Sequence, residues 1–255
     1  MQNRRIYYIL PCYNEELNLK KVLDDLFNFY RKKKYYVYIV IIDDGSKDNS
    51  LKILKKIKKQ NLSKKIKIII LEHKINLGLG YALRDGFKYC FSRGKENDII
   101  ISMDCDNSHT ISLSYKMTLQ IIENKKDIII ASRYKKNSKM KGLDIKRIFL
   151  SYIAAILYKF FFPIKNVRDY TSGFRAIRLG VIKKAYMENK YFFSERGFSA
   201  SADIILKLYK YKESINFDEL PIDLRYDLKN GESKMKILKT IYLNLKLILI
   251  RRFFN

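Results

Sequence analysis

The chain is short of the residues that staple small domains or hold metal clusters. Its three cysteines, Cys12, Cys90 and Cys105, are odd in number and lack metal-ligand or redox-pair spacing. That excludes a disulfide framework and points to a reducing compartment. Acidic residues are scarce too, 26 Asp and Glu against 52 Lys and Arg, for a formal charge of +26. Such an excess suits nucleic acid, an anionic membrane surface or a phosphorylated small substrate, and does not choose among them. Lys is spread along the chain together with Ile and Asn, so any single Lys reads as solvated surface charge.

Long apolar runs are also missing. IFLSYIAAILYKFFFPI is interrupted by Lys159 and LKTIYLNLKLILI by Lys246, and neither reaches the roughly 18 uncharged residues of a spanning helix. The N-terminus runs through Arg4 and Arg5 into a strand-like segment with no secretory pattern, so a cytoplasmic location is expected. No internal repeat or disordered linker is visible.

At 255 residues and 47% apolar composition, the chain can bury one sizeable core. Five β-branched runs, at 6–10, 36–42, 65–71, 98–103 and 127–132, alternate with helical patterns. They predict βα units around a mostly parallel, buried sheet. The periodicity predicts helices over 14–30 and 46–59, then a polar loop at 135–147, an apolar helix at about 148–162 and another near 201–212. ESINFDELPIDLRY reads as a last strand-like stretch before a basic terminal helix. The expected division is a catalytic domain at 1–232 and an amphipathic helix at 233–255. Residues 229–255 hold seven basic residues and one acid, with Leu238, Ile241, Tyr242, Leu245, Leu249 and Phe253 spaced as one apolar face.

Asp104-Cys105-Asp106 follows the strand DIIISM, which sets two carboxylates at the carboxyl end of a buried parallel strand, where open α/β sheets bind ligands. Carboxylates so spaced can share a divalent cation whose other ligands are water and substrate phosphates. Two acids in a polar turn are also an ordinary loop signature. Asp43-Asp44-Gly45-Ser46 is a second acidic turn beyond a strand, equally readable as an Asp-Gly turn with a Ser or Asp helix cap. In Pro11-Cys12-Tyr13-Asn14-Glu15-Glu16, Tyr13 could stack on a base and Glu15 accept from a base amine or ribose hydroxyl. The alternative is Asn14 as an N-cap, with the acids complementing the helix dipole.

PCYNEE, IIDDGSKDNS, NLGLGYALRDG, MDCDNSH and ASRY, in this order, resemble the family-two glycosyltransferases of GT-A fold. GLDIKR, DYTSGFRAIR and PIDLRYDLKNGESKM narrow the resemblance to the dolichyl-phosphate and polyprenyl-phosphate mannosyltransferase branch, over roughly residues 6–236. The resemblance implies an α/β GT-A fold and inverting hexose transfer from a nucleotide-sugar donor of GDP-mannose or UDP-glucose type to a lipid phosphate. Pro11, Tyr13, Glu15, Ile42, Asp43 and Asp44 would hold the nucleoside. Asp104, Cys105 and Asp106 would sit at the diphosphate, with Mg2+ or Mn2+ on the two carboxylates. Arg133 matches a donor-binding arginine, Lys234 a phosphate-binding lysine, and Arg147 and Arg175 basic positions facing the reaction centre. Asn76 stands where the eukaryotic enzymes have Lys, and Cys105 where Ala is usual. The arginine before G-x-S-K has no clean equivalent, Arg225 lying too early and Lys229 being the nearest base. Asp203 stands where many relatives have Glu.

A phosphate acceptor, already ionised, needs no strong base; a sugar-hydroxyl acceptor, as in capsule, lipopolysaccharide or glycolipid synthesis, would need one, and Asp203 is the candidate. The implied setting is the cytosolic face of a membrane, with peripheral attachment or a small anchor subunit. A nucleic-acid-binding role would also fit the charge, but no nucleic-acid motif appears and the acidic turns oppose a polyanion.

Overall fold

The computed structural model describes residues 4–189, 191–231 and 237–254. A seven-stranded sheet forms the middle layer. Its strands are Arg5–Cys12 (β1), Tyr36–Asp43 (β2), Ile66–Glu72 (β3), Ile99–Ser102 (β4), Ile128–Ser132 (β5), Arg175–Arg178 (β7) and Phe217–Pro221 (β8), in the order β3-β2-β1-β4-β7-β5-β8. All neighbours pair in parallel except β7, which runs antiparallel to both β4 and β5. The mostly parallel α/β sheet therefore matches expectation.

Successive side chains of a strand point to opposite faces, and β1 shows why this sheet is buried on both. Tyr7 and Ile9 enter one apolar cluster, Ile6, Tyr8 and Leu10 the other, and all five are fully buried. The buried Tyr8 hydroxyl is paired with the Tyr30 and Ser114 hydroxyls at 2.8 and 2.5 Å. The helices Glu16–Tyr30 (α1), Ser50–Gln60 (α2), Leu79–Arg93 (α3) and Ile111–Glu123 (α4) link the first strands, and Leu179–Glu188 (α6) and Ala200–Leu208 (α7) follow β7.

The segment 135–147 is not simply a loop. Lys139–Lys141 (β6) pairs in parallel with Asp223–Arg225 (β9), and the helix Ile145–Phe161 (α5) starts before the expected position. A three-residue strand is shorter than any periodicity can register. The terminal helix Ile237–Phe253 (α8) packs along α5 and α7. Tyr158 of α5 donates its hydroxyl proton to Asn244 Oδ1 at 2.5 Å, and Leu247 and Ile248 are buried. Among the described residues, no helix is long and apolar enough to cross a membrane.

Candidate active site

The carboxyl ends of β1, β2 and β4 open into a cavity of about 630 Å³, closed on its far side by α5 and α8. The turn after β4 supplies its acidic floor. Met103 N–H still donates to Ile9 O at 3.2 Å, so the strand pairing carries up to the motif. Asp104 borders the open cavity, and among the described residues nothing donates to its carboxylate. Asp106 is only 4% exposed and fully partnered: its Oδ1 accepts from Ser108 N–H (3.1 Å) and Oγ–H (2.6 Å), its Oδ2 from the Lys229 ammonium at 2.8 Å. Asn107 between them takes φ 64°, a left-handed conformation that Asn tolerates. The depth of the site, and then Asp106, raise the Asp104 pKa against the opposing pull of His109. For Asp106 burial acts in the same sense, but His109 and Lys229 outweigh it and hold its carboxyl below the usual value. His109 stacks on Phe174 with ring centroids 4.5 Å apart and accepts from Asp104 N–H at 3.3 Å.

The two acidic turns of the sequence fare differently. Asp44 lines the cavity, yet both its oxygens are engaged from within: Oδ1 accepts from Leu77 N–H (2.9 Å) and lies 2.6 Å from His73 Nδ1, and Oδ2 accepts from Gly78 N–H (2.8 Å). His73 reaches Asp85 with its other nitrogen, 3.1 Å away. Asp44 thus fixes the loop that brings Asn76 to the cavity. That loop is tightly laid: Gly45 has φ +70° and lies against Ile75, and a Cβ on Gly80 would meet Glu195 O at 1.7 Å. Asp43, one residue earlier, points away, accepts from Ser46 N–H at 3.4 Å and is raised in pKa by burial. Ile42 is core.

Pro11, Cys12, Tyr13, Glu15 and Cys105 all line the cavity. Glu15 is steadied by Asn18, whose Nδ2 donates to Oε2 at 2.8 Å. Asn14 does not cap α1; its Oδ1 accepts from Lys47 N–H at 2.7 Å, tying the β1 and β2 turns together. The thiols of Cys12, Cys90 and Cys105 are free and buried.

Of the basic residues, Arg133, Arg147 and Lys229 reach the cavity. Arg133 is forked onto fully buried Asp169, Nε to Oδ2 at 2.8 Å and Nη2 to Oδ1 at 2.6 Å. The Arg147 guanidinium makes no ion pair or hydrogen bond among the described residues. Arg175 does not face the cavity. It is 2% exposed, donates to Ser201 O and Tyr170 O at 2.5 and 2.8 Å, and burial lowers its pKa. Arg225 also lies outside, paired with Asp227 at 2.7 Å. Asp203 is buried behind the cavity wall between Arg251 (2.6 Å) and Lys207 (2.7 Å). Lys234 lies outside the described residues. Sequence reasoning gave no part to Asp169, His73 or His109. The one signal was that each sits inside or beside a quoted motif.

Does a divalent cation fit? The Asp104 carboxylate is open to the cavity with no donor among the described residues spent on it, and Asp106 already attracts one cation. Among the described residues no cluster of three His, Cys, Asp or Glu surrounds them, so water and diphosphate oxygens would complete the shell, as Mg2+ prefers.

A UDP-N-acetylglucosamine-dolichyl-phosphate N-acetylglucosaminyltransferase of Methanococcus voltae is 29% identical over 257 residues, covering 95% of each chain. A dolichol-phosphate mannosyltransferase of Pyrococcus furiosus is 29% identical over 239 residues; the match takes 93% of this chain but 61% of that one, less than two thirds of its length. The solved glucosyl-3-phosphoglycerate synthase of Mycobacterium tuberculosis, in complex with Mn2+, uridine diphosphate and glucosyl-3-phosphoglycerate, superposes with a TM-score of 0.68 at 14% identity, covering 98% of this chain and 80% of that one. At that identity the likeness speaks for the fold, which is GT-A. The sequence profile of Glycosyl transferase family 2 matches residues 7–186, more than half of the sequence, and the chain belongs to that family.

Proposed function

We propose that the protein transfers a hexose from a nucleoside diphosphate sugar to a polyprenyl-type lipid phosphate at the cytosolic face of a membrane. The observation that carries this reading is the polarity of the cavity. Asp104 and Asp106 form one end, Arg133, Arg147 and Lys229 a basic side, and Leu150, Ile153, Leu157, Ile241, Leu245 and Ile248 of α5 and α8 an apolar wall. A diphosphate, a phosphate and a hydrocarbon chain each find a matching surface there.

The apolar wall continues outward. On α5, Ile145, Phe149, Tyr152, Ile153, Ile156 and Phe160 are exposed at helical spacing; on α8, so are Tyr242, Leu245, Leu249 and Phe253. The Leu238 side chain lies outside the described set. Ile153 and Leu245 belong both to these stripes and to the cavity lining. An anionic lipid surface fits this face, since basic residues flank it and each adds about 1 kcal/mol of attraction.

In this reading Tyr13 and Glu15 would take the nucleoside, and Asp104 and Asp106 would hold a Mg2+ or Mn2+ ion. Such a cation supplies charge neutralisation of the leaving diphosphate when bound. Arg147 holds the acceptor phosphate, whose second pKa of about 6 leaves it ionised at neutral pH without a protein base. An acceptor oxygen forms the new bond to the anomeric carbon as the bond to the diphosphate breaks, with inversion. The residues contribute position and fixed charge. The location of Asp203 behind the wall supports this over a hydroxyl acceptor, for which, among the described residues, no carboxylate other than those of the acidic turns and Glu15 reaches the cavity.

The test is a transfer assay of GDP-mannose, UDP-glucose and UDP-N-acetylglucosamine against polyprenyl phosphate and against free polyprenol. A lipid-linked sugar phosphate from one donor is the expected product. Transfer only to hydroxyl acceptors would overturn the reading.

A further inference from the structure

We infer that Lys229 is an internal stand-in for the divalent cation: with no metal bound its ammonium occupies Asp106, and it passes to the phosphates when metal and diphosphate enter together. The inference rests on the proposed function and deepens it, assigning an order of binding to the same site.

Four observations carry it. First, neither Asp106 oxygen is without a partner. Ser108 takes both lone pairs of Oδ1 through two hydrogens and Lys229 sits on Oδ2 at 2.8 Å, so a metal on Asp106 must displace one of them or share Oδ2 with the ammonium. Ser108 belongs to the same turn and its N–H cannot leave without unwinding it, whereas Lys229 comes from 123 residues away. Second, an ammonium and a dication on one carboxylate repel each other in a site this enclosed, where the Lys229 side chain is 11% exposed and that of Asp106 6%. Third, Lys229 lines the cavity, so a released ammonium moves toward the place where phosphates would lie.

Fourth, the backbone under Lys229 is tied down on both sides. Arg225 N–H donates to Ser108 O (3.0 Å), Asn107 Nδ2 to Leu228 O (3.4 Å), and Asn230 exchanges two hydrogen bonds with the Asn18 side chain (3.0 and 3.1 Å). Rotation of the side-chain stem therefore suffices, with no loop movement. Lysine suits such an exchange, being a compact charge on a flexible stem that binds one oxygen and lets go, whereas forked Arg133 stays with Asp169.

The consequence is coupling. Metal alone must evict an ammonium and binds weakly; a diphosphate gives that ammonium another partner and strengthens metal binding, and metal strengthens diphosphate binding by the same factor. Mn2+ binding, read by the electron paramagnetic resonance of the free ion, tests this with wild type, Lys229→Gln and Lys229→Arg, each with and without UDP or GDP. Wild type should bind Mn2+ weakly alone and about 10-fold more tightly with the matching nucleotide, and Lys229→Arg should bind it weakly alone and gain less from the nucleotide. Lys229→Gln should bind Mn2+ alone about 10-fold more tightly than wild type and lose most of the nucleotide enhancement.

A second readout needs no variant. The Lys229 side-chain 15N resonance of the intact protein should shift when Mg2+ and nucleotide are added together. Lys229→Gln binding Mn2+ no more tightly than wild type, or an unmoved resonance, would overturn the inference, whereas the proposed function stands or falls on sugar transfer by the wild type. Absence of Mn2+ binding in all three proteins would overturn both this and the metal assignment.

Discussion

Asp104 and Asp106 are one residue apart and live in opposite surroundings. Asp104 faces the cavity with no donor to its carboxylate among the described residues, while Asp106 is enclosed and neutralised by Lys229. Replacing each by Asn should therefore give different results. Asp104→Asn should lower transfer at least about 100-fold, the scale for removing a group that stabilises developing charge. It should leave the melting temperature unchanged, because no hydrogen bond or ion pair of that carboxylate among the described residues is lost. Asp106→Asn should abolish transfer and also cost about 1–3 kcal/mol in urea unfolding, since Lys229 loses its carboxylate. Breaking a buried pair costs about 3–5 kcal/mol, but Lys229 can turn toward cavity water, so the lower figure applies. Equal stability losses in the two variants would contradict the geometry.

The Arg133–Asp169 pair gives a pH signature. Burial opposes ionisation of Asp169, but Arg133 and the backbone N–H groups of Arg133 and Ser172 prevail, and its pKa is lowered. A lowered carboxylate pKa adds stability above the unfolded value of about 3.9 and loses it as pH falls through the folded one. Asp169→Asn should thus destabilise the protein by about 3 kcal/mol at pH 7. The gap to wild type should stay constant down to the ordinary carboxylate range and close only below it. Urea midpoints taken across that range check both the size and the window.

Among the elements, α7 and α8 meet through Asp203, the candidate base for a hydroxyl acceptor. Asp203 on α7 holds Arg251 near the end of α8 and Lys207 on its own helix. Asp203→Asn should retain most of the chemical rate at saturating donor, with a raised KM for lipid acceptor as α8 loosens. Arg147→Ala should lose rate about 100-fold, again on the scale of one charge-stabilising group. The reverse ranking would point to a hydroxyl acceptor and a catalytic carboxylate.

The same scale shows what sequence could reveal. β1 and β2 were legible because both faces are buried and their apolar runs are unbroken. β7 was not, since RAIR is four residues with charge at both ends, and its antiparallel insertion between β4 and β5 depends on tertiary pairing alone. Within motifs, sequence located the turn but not the direction of each side chain. Consecutive Asp43 and Asp44 leave β2 on opposite sides, and only Asp44 reaches the cavity. Arg175 sits in a quoted motif yet on a strand face that sends its guanidinium to backbone carbonyls. Arg147, on a helix beside the cavity, needs no such knowledge.

For the whole molecule, the exposed apolar residues of α5 and α8 share their helices with the exposed Lys159, Lys246 and Arg252. The protein should bind vesicles containing anionic lipid at low salt and release at high salt, because exposed charges are screened beyond a Debye length of about 8 Å at physiological ionic strength. Truncation after Ser233 should abolish binding. That variant also opens the cavity wall, so substitution of Tyr242, Leu249 and Phe253 by Ser is the cleaner check: all three are solvent-exposed. Vesicle sedimentation unaffected by these changes would remove α8 as the membrane contact.

Ile153 and Leu245 are wall and exterior at once. A substrate entering past them would arrive sideways from a two-dimensional solvent, never passing through bulk water. Its effective concentration would then be a mole fraction in the lipid, not a molarity. Adding inert carrier lipid at fixed total acceptor should slow the bound enzyme in proportion to the dilution, while the same addition leaves the dependence on soluble donor untouched.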